Sequence, residues 1–434
     1  MKNIKKTFTL LLSLATLTAC GTNEVKEEVV EEQPLRTVDL IENIRTNDNQ
    51  KVPVTKENDI DNNEIIEKNE KADDPVSKKD EPNEKTDTVT LIAGGDLMAN
   101  MGQTEYAYNK GGGYYDYSDS FMYVSDFIKD ADIAIANYET TTNPNVPYAG
   151  HPRFNAPAEY LESISQAGFD IVTTANNHSL DTGLEGVDTT ITAIENAGLD
   201  HVGTRAEGDD SRFLIKKVND INIAFLSYTY GCNGIEDLFQ VREEVDQVNY
   251  LHEDQIKKDI EDAKEEGADF VVVYPHWGIE LRSEADPSQV ELGHKMIDWG
   301  ADLVIGNHPH VVEPYEEYES EDGRKGFIAY ACGNFISIQN LETVNDIRTE
   351  QSVAYKFELS KDFVNGKTFI DKIEAYPLWV GMTYNDYGRS VRTYVAEDFL
   401  EGGKYYDEAN ENQRDRIQKA YDATTATLTS GVDY

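Results

Sequence analysis

From Thr88 onward the chain alternates short apolar runs of β type with amphipathic helical stretches, and that alternation restricts it to an α/β fold. The runs are VTLIAG, ADIAIANYE, FDIVTTAN, INIAFLSYTYG, DFVVVYPHWG, DLVIGNHPH and GFIAYACGN. Between several of them lie AEYLESISQAG, GLEGVDTTITAIENAG, HEDQIKKDIEDAKEEG and PSQVELGHKMIDWG, whose closing glycines are ordinary helix stops. SVAYKFEL and KTFIDKIEAYPLWV read as later, half-exposed strands. The folded domain is therefore placed at 87–380. Residues 381–434 form a Tyr- and Asp-rich extension with a helical run, ENQRDRIQKAYDATTATL, expected to pack on the domain.

Polar residues gather where the strands end, which is where open α/β sheets bind ligands. Successive ends supply Asp96; Asn137 and Glu139; Asn176, Asn177 and His178 with Asp181 close behind; His276 and Glu280; and His308 and His310. Taken singly, each has a structural reading: Asp96 as a cap, Asn-Asn-His as a self-capping turn, His-Trp-Gly as core packing. Together they offer carboxylates, an amide oxygen and several imidazoles, the ligand set of hard to borderline divalent ions such as Mn, Fe or Zn. Two such ions share a bridging carboxylate and lower the pKa of a bound water toward neutrality, and a spare histidine can protonate a leaving group.

The N-terminus adds an address. Lys2, Lys5 and Lys6 precede the apolar FTLLLSLATL, a signal-type h-region of ~12 residues where a membrane span needs ~20. LTAC with Gly21 resembles a bacterial lipobox, which implies that 1–20 is a lipoprotein signal and Cys20 the lipidated N-terminus on the extracytoplasmic face of the membrane, with an ordinary secretory signal and a chance cysteine as the alternative. Residues 21–86 contain no aromatic residue, carry Pro34, Pro53, Pro75 and Pro82, and are dominated by Glu, Asp, Asn and Lys. Such a segment cannot bury enough apolar area to offset chain entropy, so a disordered acidic tether is expected. The formal net charge of −43 repels a phosphate backbone, so no nucleic-acid partner is expected. Cys232 and Cys332 stand alone, without metal-type spacing, and read as two core thiols with a single bridge as the alternative.

GGDLMAN, ANYET, TTANNHSLDTG, SYTYGCNG, PHWGIE, GADLVIGNHPHVVEPYE and YACGNF resemble, in order, the motifs of the bacterial CapA family associated with poly-γ-glutamate capsule. The resemblance implies a four-layer α/β/β/α sandwich similar to the calcineurin-like metallophosphatase fold. It implies Asp96 and His310 at a first metal, Glu139 as the bridge, and Asn177, His276 and His308 at a second. His178 would be the catalytic histidine, oriented by Asp181, with Asn176 in support. Met98 departs from the pattern, because Asp-x-His is expected and a thioether cannot replace imidazole on a hard metal. The site then holds one ion, or two of unequal affinity.

Arg153, in HPRFNAP, could hold a carboxylate or phosphate with its planar fork, or simply form a surface ion pair. Asn137 is the other expected substrate contact. Two functions follow. One is an assembly or export factor for an anionic capsule polymer beside a membrane synthase. The other is a metal-dependent hydrolase of phosphoester or amide bonds in envelope polymers.

Overall fold

The computed structural model describes residues 86–236 and 246–432. Cys20 and the expected tether lie outside them. Fourteen strands are described: β1 (Thr86–Leu97), β2 (Ile133–Tyr138), β3 (Ile171–Thr173), β4 (Asp200–Val202), β5 (Phe213–Val218), β6 (Ile221–Thr229), β7 (Phe270–His276), β8 (Leu303–Ile305), β9 (Tyr315–Glu319), β10 (Lys325–Ala329), β11 (Asn334–Ile336), β12 (Gln351–Asp362), β13 (Lys367–Asn385) and β14 (Gly388–Val395). The helices are α1 (Met101–Lys110), α2 (Ser118–Phe121), α3 (Ser125–Lys129), α4 (Ala158–Ala167), α5 (Gly183–Asn196), α6 (Glu253–Glu265), α7 (Pro287–Trp299), α8 (Leu341–Val344) and α9 (Glu411–Leu428).

They build two mixed sheets. The first runs β14-β13-β12-β1-β2-β3-β4, with β11 against the end of β1; β1 to β4 are parallel and β12 to β14 antiparallel. The second runs β5-β6-β7-β8-β10-β9, parallel inside and antiparallel at both edges. Leu91, Ile135 and Tyr355 of the first sheet meet Phe225, Val272 and Phe327 of the second in one core. The alternate residues of the same strands, such as Ile92, Ala134 and Val172, pack outward on Tyr160, Leu161 and Ile164 of α4. Behind the second sheet, Ala224, Val271 and Val304 pack on Ile256 and Ile260 of α6 and on Met296 and Ile297 of α7. The result is the four-layer α/β/β/α sandwich. Strands apolar on both faces are what that burial requires, which is why they read as continuous runs.

β13 continues through residue 380 and turns back as β14, so residues 381–395 belong to the first sheet. The terminal helix α9 begins only at Glu411 and buries Ile417, Ala420 and Tyr421 against Trp379, Tyr394 and Phe399. Cys232 and Cys332 are both buried free thiols.

Candidate metal centre

The parallel strands of the two sheets end close together. Asp96, near the end of β1, is in register with Asn137 of β2 on one side and Asn334 of β11 on the other. Two glycines permit that approach: a Cβ on Gly95 would lie 1.8 Å from the Gly333 carbonyl oxygen, and one on Gly94 2.9 Å from the Phe335 ring. Glu139 follows β2 directly, His276 ends β7, and His308 and His310 follow β8. These two histidines flank Pro309 with φ of 102° and 58°. Non-glycine residues held there cost about 1–3 kcal/mol each, a strain that persists where the fold over-determines the position and that concentrates at functional sites.

Glu139 is the centre of the group. Its Oε1 lies 3.6 Å from His310 Nε2, 3.8 Å from His276 Nε2 and 4.0 Å from His178 Nε2. Asp96 Oδ2 is 3.2 Å from His310 Nδ1, and His276 Nε2 is 3.1 Å from Asn177 Oδ1. The His276 and His308 rings are 4.8 Å apart. One ligand atom each from Asp96, Glu139 and His276 can be chosen so that all lie within 4.8 Å of one another. Asp96 and Glu139 are fully buried, and His276, His308, His310 and Asn177 are at most 4% exposed.

The electrostatics fit a cation. Burial, then the neighbouring Asp96, pushes the Glu139 carboxyl well above its ordinary range. Burial, then His308, holds His276 well below its usual value, and burial brings His308 down to about 3. Both imidazoles are therefore neutral, with a lone pair to give. Neither oxygen of Glu139 nor Nδ1 of His308 has a hydrogen-bond partner. Buried carboxylate oxygens and a buried ring nitrogen left unpaired cost folding energy unless an ion takes them. The donor set therefore suits a divalent ion.

Around this core sits a layer of support. Asn176 accepts from the His178 amide at 3.0 Å and donates to the Tyr138 carbonyl at 2.8 Å. Asp181 Oδ2 accepts from Phe154 N at 2.6 Å and lies 2.7 Å from His178 Nδ1, while the Phe154 ring stands edge-on to His178 at 4.6 Å. His178 is thus fixed on two sides with Nε2 turned to the centre.

Asn137 is a correction. It is 1% exposed and its amide is consumed: it donates to Asp96 Oδ1 at 2.8 Å, sits 3.3 Å from His276 Nδ1, and accepts from Thr173 Oγ1 and Asn176 Nδ2. It cannot reach a substrate; it orients Asp96 and His276. Arg153 is exposed, away from the buried group, on the wall of an adjoining cleft of about 620 Å³. Met98, 4% exposed, lines the same cleft, its sulfur 3.6 Å from Ser337 Oγ. Two neighbours escaped the sequence reading. The Tyr230 ring lies 4.8 Å from that of His308, and Asn334 donates to the carbonyl of His310 at 3.2 Å. Tyr230 directly follows β6, the strand-end signal that nominates it, whereas Asn334 opens β11 and carries no such signal.

The arrangement defines a class: a four-layer sandwich with a candidate divalent-metal centre where the strands of both sheets end. The chain matches the bacterial capsule synthesis protein family PGA_cap over residues 90–339, and it belongs to that family. It is 30% identical over 308 residues to the capsule biosynthesis protein CapA of Bacillus anthracis, covering 69% of each chain. It is 29% identical over 296 residues to the PGA biosynthesis protein CapA of Bacillus subtilis, covering 66% of this chain and 73% of that one. Among solved structures it is similar to the calcineurin-like phosphoesterase YfkN of Bacillus subtilis, with a TM-score of 0.44 and 15% identity over 78% of this chain and 98% of that one.

Proposed function

We propose that this capsule-synthesis protein is a lipoprotein, tethered to the outer face of the cell membrane through Cys20, that acts on a poly-γ-glutamate-like polymer beside its membrane synthase through a divalent-metal centre. Glu139 carries the metal reading: a fully buried carboxylate with no donor, surrounded by three imidazoles and Asp96. Asp96 and His310 would hold one ion, His276, His308 and Asn177 a second, with Glu139 between them; Mn, Fe and Zn all suit the ligand set. Among the described residues no helix is long and apolar enough to cross a membrane.

A bound ion would supply Lewis-acid polarisation of a carbonyl or phosphoryl oxygen. The protein's own contribution favours hydrolysis within the capsule role. Asp181 faces His178 Nδ1 and His178 Nε2 faces the centre along the cleft, so Nε2 is placed to take the proton released by an attacking water and pass it to a departing group, with Asp181 balancing the imidazolium in between. A purely scaffolding role needs no such pair.

Elemental analysis of purified protein tests the centre, with at least one Mn, Fe or Zn per chain expected, and lost in His276→Ala. His178→Ala tests the chemistry in cells. Capsule is expected to disappear while protein level and metal content stay constant; an intact capsule would leave only the assembly role.

A further inference from the structure

The cleft beside the centre contains two opposite charges that the protein itself leaves unused. Among its lining residues Arg153 is the one Lys or Arg, in a chain with 82 acidic and 39 basic residues. Among the described residues its guanidinium has no carboxylate partner. Of the two lining carboxylates, Asp181 is tied through Oδ2 to His178 and Phe154 N, whereas Glu280 has no hydrogen bond or ion pair among the described residues. Both Arg153 and Glu280 are exposed.

Their backbones are pinned on different sides of the centre. Arg153 precedes Phe154, which is bonded to Asp181 and packed on His178. Glu280 precedes Leu281, whose amide donates at 2.8 Å to the Pro309 carbonyl between His308 and His310. Leu281 sits at φ 60°, and its carbonyl accepts from Arg348 at 2.9 Å. A guanidinium therefore stands on the His178 side and a carboxylate on the His308–His310 side. Apart from the histidines His151, His178 and His310, the rest of the lining has no ionisable side chain: Asn100, Gln103, Asn233 and Gln339 stand with apolar Met98 and Ile338.

We propose that the cleft binds an amino-acid head group, one carbon bearing both an α-ammonium and an α-carboxylate, with the carboxylate on Arg153 and the ammonium on Glu280. The side-chain carbonyl of that residue then lies toward the centre. This rests on the metal reading above and names its substrate class. In a γ-linked glutamyl chain only the amine-terminal residue carries such a head. Interior residues have their nitrogen in an amide and present carboxylates alone, which Glu280 repels. The polymer is thus engaged by its end.

Calorimetric titration of the full chain tests this with three probes: γ-glutamylglutamate, its N-acetyl derivative, and the derivative with an α-carboxamide on the first residue. The free dipeptide is expected to bind about tenfold or more tighter than either derivative, the worth of one charge-assisted contact. Glu280→Gln should erase the preference over the N-acetyl probe and keep the other; Arg153→Met should do the reverse. Equal binding of the free and N-acetyl probes, both preferences surviving in either variant, or no binding at all overturns the proposal. The preference is set by Arg153 and Glu280, so it is read on metal-loaded and metal-free protein alike. Failure to take up metal counts against the centre; failure to discriminate counts against the head-group site.

Discussion

Replacing Glu139 with glutamine should move the metal-free and metal-loaded protein in opposite directions. Without an ion, Glu139 is fully buried, its oxygens lack donors, and its pKa is raised by burial and then by Asp96. A carboxyl raised in the folded state contributes its full stability below its ordinary value of 4.5 and loses it as pH climbs through the folded value. Near neutral pH the metal-free protein therefore carries the cost of that group, and glutamine, equal in shape and uncharged, relieves it. Metal-free Glu139→Gln should melt at or above the wild-type temperature, with the gap widening from acid toward neutral pH. Metal reverses the order. An ion at a hundred times its Kd stabilises by about 2.7 kcal/mol. At roughly 2–4 °C per kcal/mol for a domain of a few hundred residues, wild type should gain roughly 5–10 °C. The variant, offering a neutral amide where a charged carboxylate is needed, should gain little. Calorimetric melts of chelator-treated protein, with and without Mn or Zn, decide it. A variant that gains as much as wild type, or that melts well below it when metal-free, would refute the reasoning.

Asn137→Ala should weaken metal binding by about 10–100-fold without altering binding of γ-glutamylglutamate in the cleft, since the amide orients Asp96 and His276 and touches no substrate; competition with a metal chromophore reads the first effect and calorimetry the second. Glu313 is buried beside Gln289, and burial pushes its carboxyl up to about 8. It therefore withdraws stability as pH rises from its ordinary range through about 8, and Glu313→Gln should gain relative to wild type over that window, about 1.4 kcal/mol for each unit of displacement realised, by urea melts at acid and alkaline pH. Arg416 of α9 pairs with buried Glu350, which also accepts from Trp379 Nε1 at 3.0 Å and Leu341 N at 2.9 Å. Arg416→Met should cost about 3–5 kcal/mol by leaving that carboxylate unpaired, and adding Glu350→Gln should recover part of the loss in a double-mutant cycle.

Much of this was legible because strands covered on both faces announce themselves as apolar runs, and the polar residues that follow them stand out. The edge strands did not. β5 is half-buried along FLIKKV, and β9, YEEYE, is partly exposed, so neither presents a continuous run. The β13–β14 hairpin hid in a Tyr- and Asp-rich stretch expected to be a helical extension packed on the domain. Within the site, what the sequence could not give was depth. Asn137 and Glu139 are two residues apart, yet Asn137 lies inside the sheet, flanked by Asp96 and Thr173, while Glu139 has passed its end. One pleat converts an expected substrate contact into a buried brace. Tyr230, just past β6, and Asn334, the first residue of β11, do not stand out in the sequence because tyrosine and asparagine at strand termini have many structural uses.

The extreme acidity bears on how such a protein could handle a polyanion at all. Charges on an exposed surface are screened over about 8 Å at physiological ionic strength, so the net charge of −43 slows approach without forbidding contact. At the cleft the local balance is one guanidinium against one free carboxylate beside a centre that requires cations. A segment carrying only carboxylates meets Glu280 unfavourably there, and one with an ammonium does not. The acidity is therefore compatible with an anionic polymer when recognition falls on the one part of it that is not anionic.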